Sequence, residues 1–188
     1  MPAVEAVRHG MLYTIGHGTL AGQAFIDLLR GSEIAAVADV RSVPKSRHNP
    51  QFAQPELEGS LLEAGLGYRW YAQLGGFRRA EPDSPNIGLR HAAFRGYADY
   101  MQTPPFRSAF EALLEAAQRE PTAAMCSESV WWRCHRRLLA DFAVLVAGVP
   151  VEHLMHDGRA QAHRVTPGAR LAGGALVYEA AETEPQGV

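Results

Sequence analysis

Ile34-Ala35-Ala36-Val37-Ala38-Asp39-Val40 is the stretch that decides the fold. Six apolar residues surround one aspartate, the pattern of a strand buried on both faces in a parallel sheet covered by helices. Upstream, residues 11–15 read as a strand closed by Gly16-His17-Gly18. A helix follows over 19–30, with Phe25, Leu28 and Leu29 on one side and Thr19 as its N-cap. Downstream, Pro44, Asn49 and Pro50 make 41–52 a loop. Leu57, Leu61 and Leu62 then mark a helix from Pro55 to residue 65, and 68–71 a short strand.

The alternation continues toward the C-terminus. Residues 74–90 hold three glycines and two prolines and form a long connection of the kind that often carries function. Helical spacing returns over 91–101 through Phe94, Tyr97 and Met101, and over 105–119 through Phe106, Phe110, Leu113 and Leu114; these two helices are expected to pair. Residues 122–126 read as a buried strand, 131–146 as one helix with Cys134, Leu138, Phe142 and Leu145 on its apolar side, and 151–155 as a strand. The 158–174 segment gives no strong signal, and 176–178 is expected to close the sheet as an edge strand. The expectation is a single three-layer α/β domain over 11–178, a mostly parallel sheet flanked by helices, with an N-terminal extension over 1–10 and a flexible acidic tail over 179–188.

Composition narrows the function classes. The chain has 188 residues, 47% hydrophobic and 20% charged, which excludes a disordered chain or a small disulfide-stapled scaffold. Its 18 basic and 20 acidic residues leave a net charge of −2, so nucleic acid is not favoured by overall charge and any affinity for anions is local. Cys126 and Cys134 are the two cysteines, and the opening residues hold no secretory signal, so a reducing, cytoplasmic setting is expected. The most apolar stretch, 138–149, contains Asp141 and is too short to span a bilayer, so no membrane partner is expected.

In parallel α/β sheets ligands bind beyond the carboxyl ends of strands. Polar groups collect at those ends here: Gly16-His17-Gly18-Thr19, Asp39-Val40-Arg41-Ser42, Leu74-Gly75-Gly76 and Cys126-Ser127-Glu128-Ser129. A thiol at Cys126, before a helix bearing Arg133 and Arg136, has the surroundings that favour thiolate; packing as a small core residue is the alternative. Asp39 and Arg41 face one side of an extended chain, as an acid–base and anion-fork pair or as a structural ion pair. Lys45, Arg47, His48 and Asn49 add a cationic loop, extended by Arg78, Arg79, Arg90 and Arg95. Cys134 and His135 are adjacent, so on a helix their side chains diverge by about 100°. No paired CxxC or HxxxH spacing is present, so a zinc or iron site would have to recruit His17 or another distant group, and no metal is assigned. Tyr68, Trp70, Tyr71, Phe77, Trp131 and Trp132 read either as packing or as a surface for stacking bases.

Tyr13-Thr14-Ile15-Gly16-His17, Asp39-Val40-Arg41-Ser42-Val43-Pro44, Leu74-Gly75-Gly76, Gly96-Tyr97-Ala98-Asp99-Tyr100-Met101 and Met125-Cys126-Ser127-Glu128 with Cys134-His135-Arg136 occur in that order. Together they resemble the domain of unknown function 488 family over about residues 11–178. The resemblance implies a compact cytosolic α/β domain and no particular substrate. It marks His17, Asp39, Arg41, Ser42, Cys126, Glu128, Cys134, His135 and Arg136 as candidate site residues. Gly18 stands where many relatives are expected to have serine, and Val130-Trp131-Trp132-Arg133 looks like one version of a variable stretch.

The leading expectation is an enzyme acting on a phosphate-bearing small molecule, nucleotide or nucleic-acid component. Cys126, Glu128, His17 and Asp39 are its catalytic candidates, and Arg41, Ser42, Arg47, Ser127, His135 and Arg136 its substrate-binding candidates. A non-catalytic nucleotide or nucleic-acid binding module is the second expectation, and a metal or thiol-redox sensor through Cys126, Cys134 and His135 the third. The partner implied is a small anionic ligand or nucleotide, and neither a cofactor nor an oligomeric state follows from the sequence.

Overall fold

A computed structural model describes residues 10–180. Most of the expected N-terminal extension and acidic tail therefore lie outside the described residues. In chain order the elements are β1 (Leu12–Gly16), α1 (Gly22–Gly31), β2 (Ala36–Asp39), α2 (Gln54–Glu63), β3 (Gly67–Trp70), α3 (Ala92–Tyr100), α4 (Pro104–Arg119), β4 (Thr122–Cys126), α5 (Arg136–Leu145), β5 (Val151–Leu154), β6 (Ala160–Ala162), β7 (Ala169–Ala172) and β8 (Ala175–Tyr178). The main sheet has six strands in the order β3-β2-β4-β1-β5-β6, all parallel except the antiparallel edge β6. No described helix is long and apolar enough to cross a membrane.

Strand alternation divides the core into two layers. Tyr13 and Ile15 of β1, Val37 of β2 and Met125 of β4 face Phe25, Ile26 and Leu29 of α1 and Leu57 and Leu61 of α2. Leu12, Ala38, Ala124 and Cys126 face the opposite layer, where Tyr97, Phe106, Phe110, Leu138 and Phe142 of α3, α4 and α5 pack. Rings at Phe106, Phe110 and Phe142 meet at centroid separations of 4.9–5.8 Å, and Tyr97 and Tyr100 of α3 meet Phe106 of α4 edge-on. The central strands β1, β2 and β4 are thus covered on both sides, as their largely apolar sequences require, whereas the edge strands β3 and β6 are largely exposed.

Topology sets where the sheet opens a crevice. β2 leads through α2 to β3 on one side, whereas its neighbour β4 leads through α5 toward β5 on the other. Connections that diverge from adjacent strands open a crevice beyond their carboxyl ends. The long 74–90 connection folds over this end of the sheet, pinned by Asp99 of α3. Its carboxylate accepts hydrogen bonds from the Ser84 hydroxyl (2.7 Å), the Asn86 amide (2.7 Å) and the Glu81 N–H (2.9 Å). Tyr97 donates to the Leu74 carbonyl at 2.8 Å.

Three expectations need correction. Helix α1 starts at Gly22, its N-cap is Ala21 and no side chain caps it, so Thr19 does not serve as the cap. Residues 176–178 lie in β8, which pairs only with β7 in a separate hairpin; β6 takes the sheet edge instead. Finally, 131–146 is not one helix. Trp131–Arg133 forms a 3₁₀ turn, Cys134 is extended (φ −119°, ψ 154°), and α5 starts at Arg136. Trp131 stacks on His153 at 4.1 Å, and the Arg136 N–H turns to the Cys134 sulfur at 3.5 Å, so tertiary contacts override the helical spacing.

Gly16 ends β1 where the chain after β4 crosses it, and a Cβ there would overlap the Glu128 carbonyl oxygen. Gly16→Ala should therefore destabilise the protein by about 3 kcal/mol, at the upper end of overpacking costs. Thermal unfolding should show a fall in midpoint of about 10 °C. Gly31→Ala, with open space around its Cβ, should change stability by less than about 1 kcal/mol. Equal behaviour of the two variants would contradict the close approach at Gly16.

Candidate functional site

The crevice between β2 and β4 is a half-open cleft of about 360 Å³. Arg41, Ser42 and Lys45 line it from the end of β2; Cys126, Ser127 and Glu128 from the end of β4; and Arg133, Cys134 and His135 from the approach to α5. Gly76, Phe77, Phe94 and Tyr97 complete the wall. Of the sequence candidates, Arg41, Ser42, Cys126, Ser127, Glu128, Cys134 and His135 share this cleft, whereas His17, Asp39, Arg47 and Arg136 do not line it.

The floor is a triangle of two sulfurs and an imidazole. Cys126 Sγ lies 3.8 Å and Cys134 Sγ 3.5 Å from His135 Nδ1, and all three donor atoms lie within 4.8 Å of one another. The far nitrogen, Nε2, is 3.0 Å from the Val40 carbonyl oxygen. A carbonyl only accepts, so Nε2 carries a proton, and in the neutral ring Nδ1 presents its lone pair to the sulfurs. Both cysteines are free and buried. Hydrogen bonding to Cys134 and burial push the Cys126 thiol up. Burial acts against ionisation of Cys134 as well, but the Cys126 hydrogen bond and the Arg136 charge and N–H outweigh it and hold that thiol below its usual range. The break in the expected helix brings this about. With Cys134 extended, its side chain and that of His135 converge on Cys126 instead of diverging.

Asp39, Arg41 and His17 form a second group toward the α1–α2 layer. Asp39 is buried, and its carboxylate accepts from Arg41 Nε at 2.9 Å, a terminal Arg41 nitrogen at 2.6 Å and the Tyr68 hydroxyl at 2.8 Å. The other terminal Arg41 nitrogen donates to the Phe52 carbonyl at 2.8 Å and lies 3.4 Å from His17 Nε2. His17 donates from Nδ1 to the Gly18 carbonyl at 2.8 Å and stacks on Phe52 at 4.2 Å. This group clamps the end of β2 to the loop before α2. Glu128 is exposed at the cleft, and its Oε1 accepts from the Val130 N–H at 3.1 Å. Ser42 donates to the Gly76 carbonyl at 2.7 Å. Arg47 is exposed on the loop whose Lys45 reaches the cleft. Among the aromatic residues, Trp131 and Tyr71 are buried, whereas Phe77 is 94% exposed at the rim with a φ of 60°.

A buried chain of polar groups lies behind the floor. Arg136 donates to Thr14 Oγ1 at 3.3 Å, and Thr14 Oγ1 is 2.6 Å from His153 Nδ1. His153 Nε2 is 2.9 Å from His163 Nδ1, and His163 Nε2 is 2.8 Å from Asp141 Oδ1. With neutral imidazoles, donors and acceptors match from Arg136 to Thr14, Thr14 to His153, His153 to His163 and His163 to the carboxylate. Tyr178 and the Thr166 N–H complete the Asp141 shell at 2.9 Å each. Thr14, Asp141, His153 and His163 were not among the sequence candidates. The one available signal was Asp141 within an apolar run, since His153 and His163 are separated by a hairpin whose register brings them together.

A family model described as Domain of unknown function DUF488 matches residues 22–143. The chain belongs to the DUF488 family. No curated protein and no solved structure matches it. The DUF488 match takes in every residue of the cleft wall and floor together with Asp39, Arg136 and Asp141, and excludes His17, His153 and His163.

Two measurements check these assignments. Asp39→Ala strands a buried guanidinium and should cost about 3–5 kcal/mol; a loss below about 1 kcal/mol by denaturant titration would contradict the clamp. Burial, reinforced by the Arg41 charge, lowers His17 from its ordinary 6.5 to about 4, so the folded ring stays neutral where the unfolded one takes a proton. The stability contributed by this neutral ring is therefore fully present above pH 6.5 and is lost as pH drops from 6.5 to about 4. His17→Gln should flatten the denaturant-midpoint profile in that window, and an unchanged slope would contradict the neutral, buried ring.

Proposed function

We propose that this DUF488 protein is an enzyme acting on a phosphate-bearing small molecule, a nucleotide or a nucleic-acid component, bound in the cleft at the carboxyl edge of the sheet. The supporting observation is that one cleft gathers cations, a carboxylate and a Cys–His group between adjacent strands whose connections diverge. Lys45 and Arg133 hold the phosphate. Phe77 and Phe94 flank its planar or apolar portion. Arg41 lends its charge to the same wall while Asp39 keeps it in place. Glu128, exposed and within the cleft, transfers a proton, and the Cys126–Cys134–His135 floor is the reaction centre. A single domain over 11–178 and a cytoplasmic setting belong to the same reading; free thiols fit a reducing compartment.

A thermal-shift panel of nucleotides, sugar phosphates and other anionic metabolites, at fixed ionic strength, tests this reading. A cognate ligand at 100 times its Kd should stabilise the fold by about 2.7 kcal/mol, raising the midpoint by about 5–10 °C. Lys45→Ala combined with Arg133→Ala should remove the shift. Cys126→Ser and Glu128→Ala should keep the shift and lose turnover of the ligand so found. A panel without any shift, or a shift indifferent to Lys45 and Arg133, would overturn the reading. Binding with no turnover in the unaltered protein would replace the enzyme by a binding module.

A further inference from the structure

We infer that Cys126, Cys134 and His135 form a zinc-type metal site whose open coordination position faces the cleft. The inference deepens the reading of the cleft as a reaction centre and rests on it only for what the metal would do, not for whether the metal binds.

Donor chemistry comes first. Two sulfurs and an imidazole are a soft-to-borderline set that selects Zn²⁺ over the oxygen-seeking Mg²⁺ or Ca²⁺. Tetrahedral zinc with sulfur at about 2.3 Å and nitrogen at about 2.0–2.1 Å places sulfur and nitrogen about 3.5 Å apart. The observed separations are 3.5 Å from Cys134 and 3.8 Å from Cys126 to His135 Nδ1. The ring is already in the tautomer a metal needs, because Nε2 donates to the Val40 carbonyl at 3.0 Å and leaves Nδ1 as a lone pair. A backbone carbonyl on the far nitrogen is the usual outer partner of a metal-bound histidine.

The outer contacts complete the case. Arg136 donates its N–H to Cys134 Sγ at 3.5 Å, and its buried guanidinium lies in the layer behind, so a thiolate there is held by a hydrogen bond and a charge. The imidazole packs against Gly76 and meets the edge of Tyr97 at 5.1 Å, which fixes its plane. All three donors line the cleft, so a three-coordinate ion keeps its fourth position on the substrate side. That is the arrangement of catalytic zinc rather than of closed structural sites. An ion there would accept a phosphate oxygen or a water as a Lewis acid. His17 is not the distant fourth donor that the sequence suggested, since it is turned to Gly18, Phe52 and Arg41.

The test uses the full chain purified without a metal-affinity tag, stripped by a chelator under reductant and titrated with Zn²⁺ against a chromophoric chelator and, separately, with Co²⁺. One equivalent should bind, with release of thiol protons to the buffer. The cobalt form should show thiolate-to-metal charge transfer and the intense visible bands of tetrahedral Co²⁺. Cys134→Ser and His135→Ala should each weaken Zn²⁺ binding by about 100-fold or more. Lys45→Ala, on the rim, should keep stoichiometry and affinity. Folded, reduced wild-type protein that takes up no Co²⁺ charge-transfer signal would overturn the inference, as would Cys134→Ser or His135→Ala variants that bind as tightly as the parent. A metal-loaded protein that binds no member of the phosphate panel would leave the metal site established and remove the phosphate reading. Ligand shifts in a protein that binds no metal would do the reverse.

Discussion

The Arg136 guanidinium, buried between the sheet and α5, joins pieces of chain that would otherwise have no reason to meet. It donates to the Glu128 and Ser129 carbonyls of the loop after β4 and to Thr14 of β1, while its own backbone N–H holds the Cys134 sulfur. Among the described residues no carboxylate pairs with it directly. A buried cation without a counter-charge is costly. The charge is answered in part by the loop carbonyl dipoles, by the Cys134 sulfur, and through the Thr14–His153–His163 chain by Asp141, while Arg136 Nε is buried without a hydrogen-bond partner among the described residues. The loop that carries Ser127 and Glu128 is therefore set by the requirement to solvate one guanidinium.

That constraint also explains how a parallel sheet acquires a cleft floor of two thiols and an imidazole. With Arg136 starting α5, Cys134 falls just outside the helix in extended backbone, and its sulfur turns back toward the end of β4. The two thiols and the imidazole then meet beneath the point where the connections from β2 and β4 diverge. On the other side of β2, the Asp39–Arg41 pair performs a mechanical task, fastening the strand end to Phe52 and Tyr68. The strand-end residues that the sequence groups together thus divide their tasks: Ser42, Cys126, Ser127 and Glu128 line the cleft, Asp39 and His17 hold its wall, and Arg41 does both.

Most of the layered fold was legible because it rests on local pattern. The buried run around Asp39, the 122–126 strand and the apolar spacing of α3 and α4 each announce themselves within a window of about ten residues. The rule that ligands gather at carboxyl strand ends pointed to this edge of the sheet, and the cysteines, Glu128, Ser42 and His135 do line a cleft there. What the sequence concealed depended on contacts distant in the chain. Continuous helical spacing through Cys134, Leu138, Phe142 and Leu145 masks the break that Trp131 and Arg136 impose. Likewise His153, His163 and Thr14 have no shared periodicity, since β5–β6 pairing and the β1–β5 register bring them into line.

The most direct measurement is hydrogen–deuterium exchange on Arg136→Lys, a change that keeps the charge and removes the fork. If Arg136 sets the loop, amides over residues 127–135 should exchange about tenfold faster or more than in the parent, while those of β1, β4 and β5 keep their protection. Unchanged exchange across 127–135 would contradict the claim that the buried guanidinium holds the floor of the cleft in place.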